Sequence, residues 1–66
     1  MNQIVYVVRD MSCEHCVNAV TDELTQVPGV GRVDVDLDSK QVVVYGVELD
    51  DRWLRAAIAN AGYEAE

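Results

Sequence analysis

The chain of 66 residues carries 12 acidic and 5 basic side chains, a net charge of −7, and an apolar half. Residues 1–66 therefore make a single small domain, too small to enclose a large active-site cavity and too acidic to hold a nucleic-acid phosphate backbone. The excess of Asp and Glu solubilises the surface and would steer the domain toward a basic patch on a partner.

The N-terminus, MNQIVYVVRD, has no charged start followed by a long apolar run. It reads as neither a secretory signal nor a membrane span, which predicts a cytoplasmic location with reduced thiols. Ile4 to Arg9 (IVYVVR) is β-branched and aromatic and predicts a strand with Ile4, Tyr6 and Val8 on one face. The next six residues, MSCEHC, form a loop that holds both cysteines and the only histidine. From Glu14 the period changes. Val17, Val20, Leu24 and Val27 form a helical stripe that Pro28-Gly29 ends.

Val33, Val35 and Leu37 alternate with Asp34, Asp36 and Asp38, as in a strand with one wet face. DSKQ turns the chain, and Gln41 to Gly46 returns it as a hairpin. Asp50 is placed to cap a second helix, with Leu49 and Leu54 as a hydrophobic staple across its start. Leu54, Ala57, Ile58 and Ala61 form its buried stripe, Trp53 lies beside them as partial core, and Gly62 closes the helix. The tail, YEAE, is a short last strand. The order β-α-β-β-α-β predicts an α+β, ferredoxin-like sandwich: an antiparallel four-stranded sheet with two helices on one face.

In such a fold Cys13 sits in the loop after the first strand and Cys16 in the first turn of the helix. The helix N-terminus directs unpaired N–H groups and positive dipole at both thiols, which favours thiolate. A pair of thiolates on a loop selects soft metals. Structural zinc and iron–sulfur clusters want four ligands, and haem attachment wants a histidine after the second cysteine. Two thiolates suit near-linear monovalent copper, Cu(I), best. A small thiol–disulfide oxidoreductase is the alternative from a different class, although the only proline, Pro28, lies at the far end of the helix from the cysteines.

MSCEHC, followed by VNAVTDELTQVPGV and later LRAAIANAGY, resembles the heavy-metal-associated domain family, over nearly the whole chain. That family includes bacterial copper chaperones and the N-terminal metal-binding domains of copper-transporting P-type ATPases. The resemblance implies Cu(I) held by Cys13 and Cys16, with Met11 packed under the loop and not ligating. Tyr63 matches the aromatic that stands near the metal loop in bacterial members. Ser12 occupies the place where zinc- and cadmium-handling relatives often carry Asp, which favours copper; a mercury or zinc carrier of the same fold is the variant reading. His15 reads as an exposed residue at a helix start that tunes the thiolates rather than as a third ligand.

Two positions depart from the family pattern. Asp10 stands where glycine is usual, making the loop stiffer and more acidic, and the last strand is short. The resulting expectation is a cytoplasmic copper carrier that passes its ion to a copper-transporting ATPase domain by thiolate exchange, without catalysis. Excess metal is expected to bridge two copies into a homodimer. The start at Met1 and the lack of a linker favour a free chaperone over an excised domain.

Overall fold

A computed structural model describes residues 2–65. Its elements are β1 (Asn2–Val7), α1 (Glu14–Thr25), β2 (Val30–Asp36), β3 (Gln41–Gly46) and α2 (Asp51–Asn60). The strands form one antiparallel sheet in the order β1-β3-β2. The register sets Ile4 opposite Val44 and Tyr6 opposite Val42 on one side, and Val33 and Val35 opposite the same two β3 residues on the other. A side-chain period of two then puts this apolar set on one face, where both helices cover it.

Tyr6, Val8, Met11, Val20, Leu24, Val42, Val44, Leu54, Ala57 and Ile58 form a single buried cluster. Val33, Val35, Leu37, Leu49 and Ala61 pack against it, half-buried. Tyr6 also ties β1 to α2: its hydroxyl donates to Asp51 Oδ1 at 2.7 Å, and the Arg55 guanidinium lies 5.3 Å from its ring centroid.

Both helices start where side chains can replace missing backbone partners. Asp50 caps α2, accepting from the Arg52 amide at 2.9 Å. The turn from α1 into β2 passes through Gly29, at φ +91, and the Gly29 carbonyl accepts from Val47 N at 2.9 Å. Gly46 lies against that carbonyl, so closely that a Cβ on Gly46 would overlap it.

Two expectations need correction. The described residues hold three strands, not four. After Gly62, at φ +94, the Tyr63 amide donates back to the Ile58 carbonyl and closes α2. The Ala65 carbonyl accepts from Arg55. Backbone groups that a fourth strand would offer to β1 are thus engaged with α2; Glu66, the last residue of that expected strand, lies outside the described residues. Trp53 is 61% exposed and contributes no core. With Leu54, Ala57 and Ile58 pointing inward, the 100° step between neighbouring helical residues turns Trp53 outward.

Candidate metal centre

The six-residue loop is held from below. Val8 extends the β1 ladder by one step, its amide donating to the Lys40 carbonyl at 2.8 Å. Arg9 and Asp10 make a turn that Met11 closes, Met11 N donating to Val8 O at 3.3 Å. The Met11 side chain is fully buried in the core. It therefore plugs the loop into the hydrophobic interior, with its thioether turned away from solvent.

Cys13 is the N-cap of α1, in extended conformation at φ −144 and ψ 165. An N-cap normally offers an oxygen; here Sγ accepts from the Cys16 amide at 3.4 Å. The Cys13 carbonyl accepts from Val17 N at 3.1 Å. Both cysteines are free thiols, Cys13 exposed and Cys16 half-buried. Their sulfurs stand 2.6 Å apart and share a hydrogen bond.

That contact lowers the Cys16 pKa to about 7: the Cys13 thiol stabilises the Cys16 thiolate first, the Tyr63 hydroxyl second and the Ser12 backbone third. The same thiolate, with burial, pushes the Tyr63 hydroxyl up to about 12. At neutral pH the Cys16 sulfur is thus close to half thiolate.

The structure brings Met11, Cys13, Cys16 and Tyr63 together around the loop: Met11 beneath it, Tyr63 half-buried against the core beside Cys16. Ser12 and His15 are exposed. Among the described residues no group of three or more His, Cys, Asp or Glu side chains converges, so His15 does not join the sulfurs. Sequence reasoning missed Lys40. From the turn between β2 and β3 its Nζ donates to the Met11 carbonyl at 2.6 Å. DSKQ signals a turn, and nothing in it signals a contact 29 positions away.

The profile of the heavy-metal-associated domain matches residues 5–64. The chain belongs to this family. Copper chaperone CopZ of Staphylococcus haemolyticus is 37% identical over 68 residues, covering 100% of this chain and 98% of that protein. The solved structure of a CopZ metallochaperone superposes with a TM-score of 0.91 at 33% identity, covering 98% of this chain and 100% of that one. Copper chaperone Atx1 from Synechocystis PCC6803, solved in a trimeric form as a His61Tyr mutant, is 40% identical with a TM-score of 0.82, over 96% of this chain and 98% of that one. The family places this domain among metal carriers, not enzymes.

Proposed function

We propose that this heavy-metal-associated domain is a copper chaperone that holds one Cu(I) between Cys13 and Cys16 and hands it to a partner. The observation that carries the reading is the pair of free sulfurs at the surface end of a capped helix, with no third His, Cys, Asp or Glu among the described residues converging on them. Two soft thiolates favour a soft monovalent ion and leave directions open for an incoming ligand. The copper chaperones among its relatives support the choice of metal.

Loading follows from the charge state. Cys16, its pKa lowered to about 7, offers thiolate at neutral pH as the first ligand to Cu(I), and the Cys13 sulfur becomes the second, any thiol proton leaving to solvent as the metal binds. The sulfurs must part to admit the ion, since a thiolate–metal bond is itself about 2.3 Å. Rotation of the exposed Cys13 side chain supplies that movement more easily than Cys16, which is fixed in the first helical turn.

Release runs the same way in reverse. A partner thiolate enters the open side of the copper, three sulfurs share it briefly, and Cys13 leaves first because it is exposed. The partner is the metal-binding domain of a copper-transporting P-type ATPase, met in the cytoplasm, and the acidic surface calls for a more basic docking face. With excess metal the exposed sulfurs can share copper between two copies; the trimeric form described for the Synechocystis relative supports such association.

Anaerobic copper titration with mass detection tests the site. The expected result is one copper per chain, lost in Cys13→Ser and in Cys16→Ser, while His15→Ala stays within about tenfold, or roughly 1.4 kcal/mol. Mixing the loaded protein with an apo ATPase domain should move copper within seconds and oxidise neither thiol pair. Full-affinity copper in Cys13→Ser would refute the ligand assignment, and tighter zinc binding in competition would refute the metal.

A further inference from the structure

Lys40 is the only lysine of the chain, and it occupies a backbone conformation that lysine avoids, φ +61. The left-handed region crowds any Cβ, so glycine and asparagine are the residues that turns of this kind favour there. A non-glycine residue held in this region points to a function when the surroundings pay for it. The strain here accompanies two long-range contacts from one residue. The Lys40 carbonyl accepts from Val8 N, just before the metal loop, and the Lys40 ammonium donates to the Met11 carbonyl, inside it.

These contacts bracket the turn that launches the loop. Val8 and Met11 are already joined by the Met11 N to Val8 O bond, so Lys40 closes a ring across the base: strand, turn, methionine, lysine. The ammonium is half-buried and reaches the Met11 carbonyl at 2.6 Å, the length of a charge-assisted hydrogen bond. Two residues beyond that carbonyl is Cys13.

We propose that Lys40 is a positioning residue that fixes the base of the thiol loop, so that Cys13 and Cys16 keep their mutual placement before metal arrives. It touches neither sulfur and ligates nothing. The inference deepens the copper-carrier reading, since a preset thiol pair slows loss of copper to competing ligands. Its central claim, order in the metal-free loop, stands without copper.

The experiment uses Lys40→Asn, Lys40→Met and Lys40→Arg in the whole chain. Asparagine suits the positive φ and keeps the fold while removing the long donor; methionine removes the donor and keeps the stem; arginine keeps a cationic donor. Amide exchange of Met11, Cys16 and Val17 in the metal-free protein should speed up about tenfold in Lys40→Asn and Lys40→Met, roughly 1.4 kcal/mol. Exchange should be restored to within about threefold in Lys40→Arg, about 0.7 kcal/mol on the same scale. The urea midpoint of Lys40→Asn should not fall, which separates local positioning from general stability. Release of copper to a competing chelator should quicken in the same two variants. Unchanged loop exchange in both, or faster exchange only in proportion to a lowered urea midpoint, would overturn the proposal. Normal exchange effects in a protein that fails to bind copper would overturn the metal reading and leave Lys40's role in place.

Discussion

Replacing Met11 separates support of the loop from ligation of the metal. Its side chain is completely buried, in a cluster with Tyr6, Val8 and Ile58. Truncation to alanine removes the thioether and leaves a cavity where the loop meets the core, which costs about 2–5 kcal/mol for buried methionine. A domain of 66 residues has only about 3–10 kcal/mol in all, from roughly 0.05–0.15 kcal/mol per residue. Met11→Ala should therefore lower the melting temperature of the metal-free protein by at least ~8 °C, at about 4–8 °C per kcal/mol for domains of this size.

Met11→Leu conserves volume and should cost under about 1.5 kcal/mol. Urea melts of the metal-free variants measure the first effect, and competitive copper titration of Met11→Leu measures the second. Copper affinity in Met11→Leu should stay within about tenfold. A hundredfold loss of affinity with an unchanged urea midpoint would show the thioether to be a ligand and refute the reasoning.

The Cys16 thiol should alkylate with a midpoint near pH 7, read by mass spectrometry of its peptide, because the Cys13 contact lowers its pKa from 9.0 to about 7. The thiolate's stabilisation of the fold is fully present above the unfolded pKa near 9 and is lost as pH falls through 7; a midpoint near 9 contradicts it, and Tyr63→Phe should raise the midpoint by removing the second donor. Tyr6→Phe should cost about 1 kcal/mol in urea unfolding by removing the bond to Asp51, and no change would show that bond to be idle. In the same variant the Asp51 carboxyl, held below its usual range first by Tyr6, should titrate higher by NMR, so stability present above pH 4 is lost earlier as pH falls. Gly46→Ala should destabilise by about 3 kcal/mol in the same assay, since the new methyl meets the rigid Gly29 carbonyl; a neutral result would mean that β3 shifts freely there.

The helices were legible because each carries its own period: Val20 with Leu24, and Leu54 with Ala57 and Ile58, are buried as their spacing requires. The alternation in IVYVVR likewise predicts Tyr6 and Val8 inward, and both are buried. Strand ends were less legible. β1 runs from Asn2 to Val7 and β2 begins at Val30, with a register shift between Val30 and Arg32, because pairing with β3 rather than composition decides where a ladder stops. The fourth strand failed for the same reason: a strand exists only where a neighbour takes its hydrogen bonds, and the Tyr63 amide and Ala65 carbonyl are taken by α2.

The two thiols were set by sequence alone. Their spacing puts one at the N-cap and the other in the first turn, and local helix geometry brings the sulfurs within reach of each other. What only the tertiary structure decided is how that pair is held and tuned. Tyr63 reaches Cys16 because α2 packs beside α1 and Gly62 turns the chain back. Lys40 reaches Met11 because β3 lies next to β1, which sets the hairpin turn under the loop. Trp53 stays outside because the stripe beside it is already filled by Leu54, Ala57 and Ile58. Contacts between residues three apart follow from backbone dihedrals, whereas contacts across 29 or 45 positions exist only once burial of the shared core has fixed which surfaces meet.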